Sequence, residues 1–287
     1  MEIKKNEPLK NHTSFKIGGP CDEFCEAKSA EDVCALIEYA KDKGIPYMVM
    51  GNGSNLLVSD KGIKGLVIKI AKGFDSVEIK GEKVIAQAGV LLSKLANIVA
   101  DNGLSGLEEV SGIPGTLGGG IYMNAGAYGG ELKDVIERVT YLSGGEIKVA
   151  EKDNLDFGYR HSRFSGTDDI ILSAELFLKK ADISEIREKM ADFKERRCSK
   201  QPLSMPSAGS TFKRPEGCFA GKLIEDSGLK GFSIGGAQVS EKHSGFVVNT
   251  GDATARDVLN LIKHIQNTVF DKFGVKLETE VKVVGEF

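Results

Sequence analysis

The chain has 287 residues, of which 41% are hydrophobic and 28% charged, a composition typical of globular proteins with one large domain or two to three smaller ones. Its formal net charge of -3 shows no bulk preference for nucleic acid or a membrane surface. No apolar run approaches the roughly 20 residues that span a bilayer, and no secretory signal is recognisable.

The cysteines and histidines argue against a metal site or a disulfide framework. There are five cysteines, an odd number without a CxxC pair, and four histidines without paired ligand spacing. Neither pattern supports a zinc site, and reduced thiols are typical of cytoplasmic proteins. We therefore expect a cytoplasmic monomer without a metal, a nucleic-acid partner or membrane insertion, whose partners are small molecules.

Helix and strand patterns alternate in the first part of the chain. Residues 31–43 have apolar side chains at helical spacing and end at Gly44. A buried strand at 45–50 leads directly into the turn sequence GNGSN (51–55). Three further strands and a second amphipathic helix are predicted at 65–70, 76–80, 83–88 and 91–102, with a tight turn at Gly81.

After a glycine-rich segment, the pattern predicts strands at 136–142, 146–150 and 170–178 and a charged helix at 183–197. A loop region with several prolines follows. The last part predicts a strand at 243–248, a helix at 253–273 and a final strand at 275–284. These elements indicate an α+β protein with a larger part, 1–195, and a smaller part, 196–287.

The glycine-rich segment is residues 111–130, SGIPGTLGGGIYMNAGAYGG, with eight glycines and no charged side chain. Its apolar side chains, among them Ile113, Leu117 and Ile121, argue against a flexible linker. Interior glycines each cost roughly 0.5–1 kcal/mol relative to alanine, which argues against a regular helix or strand. We interpret the segment as backbone that approaches an anionic ligand closely through bare N–H groups.

Neither glycine segment matches the common nucleotide-binding fingerprints. A Walker loop needs a lysine after its glycines, and neither segment contains one. The GxGxxG pattern fails because Leu56 and Met123 stand where its third glycine belongs. For GNGSN alone, a tight turn in a β-rich scaffold explains the sequence equally well.

Six sequence segments resemble a known family, the UDP-N-acetylenolpyruvoylglucosamine reductases, or MurB family, of vanillyl-alcohol-oxidase-like flavoproteins. They are HTSFKIGGP (12–20), GNGSNLLV (51–58), the glycine-rich segment, FGYRHSRF (157–164), PSAGSTFKRP (206–215) and LETEV (277–281). These segments follow one another in order and extend over nearly the whole chain. The resemblance implies a PCMH-type FAD-binding domain of two α+β subdomains, about 1–60 and 61–195, followed by an α+β substrate-binding domain, 196–287.

The same resemblance implies non-covalent FAD, with NADPH as the reductant. The FAD diphosphate then lies against backbone N–H groups of loops such as 51–55 and 112–120. The implied cofactor-binding residues are Gly51, Asn52, Gly53, Ser54, Asn55, Ser111, Gly112, Pro114, Gly115, Gly118, Gly119, Asn124, Ala125 and Gly126.

The family reaction reduces the enolpyruvyl ether of UDP-N-acetylglucosamine to the lactyl ether of UDP-N-acetylmuramate, a peptidoglycan precursor. Hydride transfer from flavin N5 to C3 builds an enolate at C2, which needs a cation beside it and a proton donor. The resemblance implies that Arg160 and Glu280 stabilise the enolate and that Ser210 protonates C2.

The residues alone leave alternatives to these three roles. Arg160 or the nearby Arg163 fits a surface salt bridge equally well, and Ser210 fits a turn or helix cap. Strand alternation does not separate Glu280 from Glu278, whereas the LETEV motif of the resemblance selects the glutamate before the valine.

Positive charge is needed for the substrate diphosphate, and basic side chains follow the proposed domain boundary. We single out Lys200 and Lys213, with Tyr159 beside Arg160, as substrate-binding residues, although such charges usually form a solvated face. About fifty residues, predicted as a strand and a helix, separate Arg160 from Ser210. This spacing resembles the shorter form of the family, which lacks an extra substrate-covering loop.

Two other functions are compatible with the sequence. The first is a PCMH-type flavin oxidase of another alcohol or sugar; such oxidases often attach flavin through histidine or cysteine, and neither glycine segment contains a histidine. The second is a non-enzymatic flavin- or nucleotide-sugar-binding module, against which the combination of Arg160, Ser210 and Glu280 argues.

Overall fold

The computed structural model describes residues 1–287, which form two compact units. Unit 1 comprises Met1–Glu2, Cys25–Asn52 and Val67–Arg197, and unit 2 comprises Ile3–Phe24, Gly53–Leu66 and Cys198–Phe287. Each unit therefore combines stretches that are distant in sequence. The division into functional domains 1–195 and 196–287 stays a prediction.

The strands are short and mostly antiparallel. In chain order they are β1 (Lys4–Pro8), β2 (Pro20–Ala27), β3 (Tyr47–Met50), β4 (Leu56–Val58), β5 (Ile63–Ile70), β6 (Val77–Lys80), β7 (Lys83–Gln87), β8 (Leu104–Ser105), β9 (Gly126–Ala127), β10 (Gly130–Glu131), β11 (Ile136–Ser143), β12 (Glu146–Glu151), β13 (Ile170–Phe177), β14 (Lys179–Lys180), β15 (Ser233–Ile234), β16 (Ala237–Val239), β17 (Val247–Asn249) and β18 (Lys282–Val284).

Six α-helices complete the fold, none of them long and apolar enough to cross a bilayer. They are α1 (Ala30–Asp42), α2 (Leu92–Asp101), α3 (Leu117–Tyr122), α4 (Ile183–Lys200), α5 (Ala220–Asp226) and α6 (Ala255–Phe273).

A five-stranded antiparallel sheet, in the order β12-β11-β13-β7-β6, forms the main sheet of unit 1. Buried and less buried residues alternate along β7, and Ala174 of β13 lies opposite Ala86 of β7. These small side chains leave room for α3, which lies against β7 and β13. The sheet thereby supports the glycine-rich segment.

The prediction that the glycine-rich segment avoids regular structure was wrong, because α3 contains Gly118, Gly119 and Gly120. Tertiary packing overrides the low helix propensity of glycine here. A Cβ at Gly120 would lie 2.8 Å from Leu132 Cδ1, and one at Gly118 would lie 3.0 Å from Ala88 Cβ. The helix thus needs glycine in order to lie this close to its neighbours.

Unit 2 is built around α6, which packs on β15 and β16 of the sheet β15-β16-β17. Buried side chains recur along α6 at helical spacing: Val258, Leu261, Ile262, Ile265 and Val269. Thr254 and Asp257 form a capping box at its start, and Gly274, at φ 70°, ends it. The Asp60 carboxylate accepts two more N–H groups of the first turn.

Most of the predicted regular elements are confirmed. The helices predicted at 31–43, 91–102, 183–197 and 253–273 correspond to α1, α2, α4 and α6. The strands predicted from 45–50 to 170–178 correspond to β3, β5, β6, β7, β11, β12 and β13, with Gly81 turning at φ 67° between β6 and β7. These are the segments with clear apolar periodicity.

Two predicted strands of unit 2 were wrong in extent. Instead of the strand predicted at 243–248, the structure has β17, which begins only at Val247. The chain turns before β17, because Phe246 N donates to His243 O at 3.0 Å. Of the strand predicted at 275–284, only the last part forms a strand, β18. The residues before β18 make one isolated bridge, Phe212↔Thr279. The extents of β17 and β18 follow from which residues find a pairing partner, and not from the apolar alternation of the sequence.

The packing around α3 predicts opposite effects for two neighbouring glycines. Replacing Gly120 with alanine should lower the free energy of unfolding by about 1–3 kcal/mol, because the added methyl group overpacks against Leu92 and Leu132. Replacing Gly119 with alanine should leave the free energy of unfolding unchanged or raise it by up to about 1 kcal/mol, because the added Cβ would lie 3.5 Å from Thr116 Oγ1, an ordinary contact. Urea unfolding of both variants measures the difference, and equal effects would contradict this account of the helix.

Candidate active site

Residues 51–55 present backbone N–H groups that donate no hydrogen bond within the protein. The loop follows β3 directly, and Gly53 has φ 63°, a conformation that favours glycine. At Gly51, an added Cβ would overlap Thr116 Oγ1. Consecutive unpaired backbone N–H groups are a feature that binds anions in proteins.

The structure brings residues of the two predicted cofactor segments together in unit 1. The side-chain amide of Asn52 donates to the carbonyl of Pro114 at 2.7 Å. Gly51 packs on Thr116, whose hydroxyl accepts the N–H of Gly119 at 3.4 Å at the start of α3. The contact fixes the position of the 51–52 turn against residues 114–116.

The rest of the glycine-rich segment is held by its own neighbours. Ser111 Oγ donates to Glu108 O at 2.7 Å, and Arg197 Nη1 donates to Gly112 O at 2.7 Å. The N–H groups of Gly112 and Gly115 donate to no protein acceptor. Their donors, like those of the 51–55 loop, are therefore available to a ligand.

The far end of the segment, Asn124 to Gly126, contacts the turn that carries Arg160. Asn124 is fully buried, and its amide donates to Gly158 O at 3.0 Å. Arg160 Nη2 lies 3.4 Å from Gly126 O, and its guanidinium stacks on the Tyr159 ring at 4.9 Å. Arg160 itself has φ 55°, a conformation that is uncommon for a non-glycine residue.

Arg163, the alternative cation, occupies a different environment. Its guanidinium lies 4.9 Å from the Tyr141 ring centroid and pairs with Asp169 at 3.8 Å. Arg163 therefore packs against the main sheet of unit 1, through Tyr141 of β11. The structure in this way separates two arginines that the sequence left equivalent.

In unit 2, Ser210 is exposed, whereas Ala208 and Thr211 near it are buried. Thr211 on its carboxyl side donates its N–H to Gly245 O at 2.9 Å, and its hydroxyl accepts the N–H of Val247 at 3.0 Å. No helix begins at Ser210, since α5 begins at Ala220 and is preceded by Phe219 as its N-cap. Ser210 is therefore not a helix cap, and of the two structural alternatives only a turn serine is left.

Glu280 lies beside the Ser210 segment. Its N–H donates to Thr211 O at 2.9 Å, and its carbonyl accepts the amide of Asn55 at 3.1 Å. The Glu280 residue is half-buried, whereas Glu278 is exposed and pairs with Lys213 at 3.2 Å. The structure therefore distinguishes the two glutamates and places Glu280 next to Ser210.

The predicted substrate-binding residues lie in separate places. Lys200 is exposed at the end of α4, and Lys213 is half-buried in its ion pair with Glu278. Tyr159 is 49% exposed in unit 1 beside Arg160. Of the three, only Lys213 is on the segment that also carries Ser210.

Sequence reasoning assigned no site role to two polar residues behind the Ser210 segment, the half-buried Ser14 and the buried Asn249. Ser14 donates to Ser207 O at 2.7 Å, and Asn249 donates to Phe15 O at 3.2 Å. Ser14 also donates its N–H to Gly53 O at 3.3 Å. The motif HTSFKIGGP was the signal for these residues, since it supports both the 53–55 loop and the Ser210 segment.

Comparisons with known proteins decide the family. The model described as UDP-N-acetylenolpyruvoylglucosamine reductase, C-terminal domain, matches residues 201–284, and the FAD binding domain model matches residues 22–149. A protein named UDP-N-acetylenolpyruvoylglucosamine reductase from Alkaliphilus oremlandii is 55% identical over 98% of this chain and 93% of its own length. The chain belongs to this reductase family. The reductase of Clostridioides difficile is 50% identical over 99% and 94% of the two chains.

The crystal structure of the MurB reductase from Thermus caldophilus agrees with this assignment. It is 37% identical, with a TM-score of 0.87 over 99% of both chains. Membership of the MurB family confirms the predicted α+β, PCMH-type fold and the FAD cofactor. It also confirms that the chain is a flavin-dependent oxidoreductase of a family that uses NADPH.

The support behind Ser210 predicts a pH-dependent stability. Burial lowers the pKa of His243, whose Nδ1 accepts the N–H of Gly245 at 3.1 Å. Because the unfolded chain then binds this proton more readily, stability is fully present above about pH 6.5 and is lost as pH falls towards the folded pKa. His243→Asn keeps an acceptor near the position of Nδ1. In this variant the free energy of unfolding, measured with urea, should decline less steeply between about pH 8 and pH 5. An unchanged slope in this variant would contradict the assignment to His243.

Proposed function

We propose that the chain catalyses the NADPH-dependent reduction of UDP-N-acetylglucosamine enolpyruvate to UDP-N-acetylmuramate, in the synthesis of peptidoglycan precursors. The observation that carries this proposal is the backbone pairing of Thr211 with Glu280, which joins the segment of Ser210 to the segment of Glu280 in a member of this family. The balanced reaction consumes NADPH and one proton and yields NADP⁺ and the lactyl ether.

The residues of the glycine segments fit FAD. Bare N–H groups at 51–55, Gly112 and Gly115 suit a diphosphate, and the 111–130 segment has no acidic side chain that would repel it. When bound, FAD supplies the carrier of two electrons between NADPH and the enolpyruvyl carbon. We assign to FAD binding Gly51, Asn52, Gly53, Ser54, Asn55, Ser111, Gly112, Pro114, Gly115, Gly118, Gly119, Ala125 and Gly126. The resemblance also implies Asn124, whose fully buried side chain bonds to protein groups, so we assign its side chain no contact with FAD.

Arg160 stabilises the negative charge of the reacting enolpyruvyl group in this proposal. A planar guanidinium holds a carboxylate or enolate through two parallel N–H donors, which a lysine ammonium does not. Stacking on Tyr159 at 4.9 Å and the contact with Gly126 O limit its orientations. A cation that is oriented before the reaction lowers the barrier without reorganisation.

Ser210 delivers the proton to C2 in this proposal. Its exposed hydroxyl is held in place by the backbone and side-chain hydrogen bonds of Thr211. A serine hydroxyl is a weak acid, but an enolate carbon is a strong base, so transfer over a short fixed distance is feasible. The half-buried Glu280 polarises the substrate carboxyl group together with Arg160.

The domain roles follow the same proposal. Residues 1–195 bind FAD and residues 196–287 bind the UDP-sugar, in keeping with the regions that the two family models match. Lys200 and Lys213 supply positive charge to the diphosphate, and Tyr159 contacts the substrate. Lys213 exchanges its Glu278 partner for phosphate oxygens when the substrate binds.

Anaerobic stopped-flow absorbance of the FAD-loaded protein tests the function. NADPH should bleach the flavin band, and UDP-N-acetylglucosamine enolpyruvate should restore it. UDP-N-acetylglucosamine, which lacks the double bond, should leave the band bleached. Failure of the enolpyruvyl substrate to restore the band would overturn the proposal, and flavin retained on the acid-denatured chain would favour an oxidase with covalent flavin.

Ser210→Ala tests the proton donor. Flavin reduction by NADPH should be nearly unchanged, whereas reoxidation by the substrate should slow by roughly 10²–10⁴-fold, since a general acid is lost. Ser204→Ala is the matched control, because Ser204 is an exposed serine in the preceding loop. Equal losses in both half-reactions of Ser210→Ala would show that Ser210 is a structural residue.

A further inference from the structure

Arg160 occupies the tip of a two-residue turn. Gly158 and His161 close the turn with reciprocal backbone hydrogen bonds of 3.1 and 3.3 Å, so that Tyr159 and Arg160 are its central residues. The φ of 55° at Arg160 places the second central residue in the left-handed region. Such a conformation costs on the order of 1–3 kcal/mol and persists only where neighbouring contacts impose it. The turn therefore depends on what holds it.

Asn124 holds this turn from the glycine-rich segment. Its Nδ2 donates to Gly158 O at 3.0 Å and to the Glu131 carboxylate at 3.1 Å, while its Oδ1 accepts the N–H of Lys133 at 3.0 Å. The residue is fully buried, and its own φ is 41°, which asparagine tolerates better than most residues. Every side-chain bond of Asn124 thus goes to protein groups.

A second set of bonds attaches the following residues to the same segment. Ser162, which is fully buried, donates its hydroxyl to Tyr122 O at 2.9 Å, and Ser165 donates to the same carbonyl at 3.3 Å. The Asn124 bond reaches the turn at Gly158, and the Arg160 guanidinium lies 3.4 Å from Gly126 O of the same segment. The serine bonds fix the chain that leaves the turn.

We propose that Asn124 is a positioning residue that fixes the Arg160 turn relative to the flavin-binding segment, and that it contacts neither flavin nor substrate through its side chain. The inference rests on the proposed function of Arg160 as the cation beside the enolate. Removing the Asn124 amide leaves Gly158 O with only the His161 N–H of the turn itself. The turn then loses this bond to the glycine-rich segment and can relax from the left-handed conformation. The guanidinium then loses its orientation toward the reacting group.

Asn124→Gly is the variant of choice, because glycine keeps the positive φ and removes only the side chain. We expect substrate-driven reoxidation of the flavin to slow roughly 10- to 100-fold, the usual cost of misplacing a reacting group. NADPH-driven reduction and FAD affinity should stay within about twofold of wild type, far below that cost. Asn6→Gly is the matched control, since Asn6 is an exposed asparagine with φ 51°.

A double-mutant cycle separates positioning from general weakening of the fold. In an Arg160→Ala background, Asn124→Gly should slow reoxidation no further, because the side chain it positions is already absent. Additive losses, or a loss of FAD affinity that accounts for the slower rate, would overturn the proposal. Should Asn124→Gly fail to fold, Asn124→Asp, which keeps the acceptor but cannot donate to Gly158 O when ionised, serves in the same cycle.

Hydrogen exchange of the FAD-free protein provides a readout independent of activity. Amides of the 156–166 peptide should exchange faster in Asn124→Gly and should be unchanged in Asn6→Gly. Unchanged exchange in Asn124→Gly would count against the proposed attachment. If Arg160→Ala alone leaves reoxidation unchanged, the proposed function of Arg160 fails; if it slows reoxidation and Asn124→Gly does not, only the positioning role fails.

Discussion

Close packing of bare backbone in the glycine-rich segment is the constraint on which the rest of unit 1 depends. A side chain at Gly51 would overlap Thr116, and one at Gly120 would press into Leu132 at 2.8 Å. The Asn52–Pro114 bond joins the two glycine segments, so their available N–H groups have fixed positions. Glycine here permits close packing at Gly51, Gly118 and Gly120, which no larger residue would allow.

In unit 2, hydrogen bonds of a single residue, Thr211, connect the chain segments around Ser210. Thr211 bonds to Gly245, Val247 and Glu280, and it thereby holds three chain segments together behind the exposed Ser210. Asn55 supports the same arrangement through the Glu280 carbonyl at 3.1 Å. The Ser210 side chain can stay exposed here because the buried Thr211 beside it makes the hydrogen bonds that hold the segment in place.

Prediction from the sequence succeeded where a local period was strong. The apolar stripes of α1, α2 and α6 and the alternation in β7 and β13 are properties of short windows, so the chain reveals them without its partners. It failed at α3, whose helix depends on close neighbours, and at 275–281, whose alternation finds only one bridging partner at Phe212. Both outcomes depend on contacts distant in sequence.

The sequence by itself determined the family, the α+β class and the motifs that contain Arg160, Ser210 and Glu280, because residue types and their spacing are local properties. Only the tertiary structure showed that Arg163 lies over the Tyr141 ring and pairs with Asp169, whereas Arg160 lies at the tip of a turn. The LETEV resemblance already selected Glu280, and the structure added that Glu278 is exposed and pairs with Lys213. Only the structure showed that the Asn124 amide bonds to Gly158. Burial and hydrogen-bond partners come from segments far apart in the chain, and no local pattern specifies them.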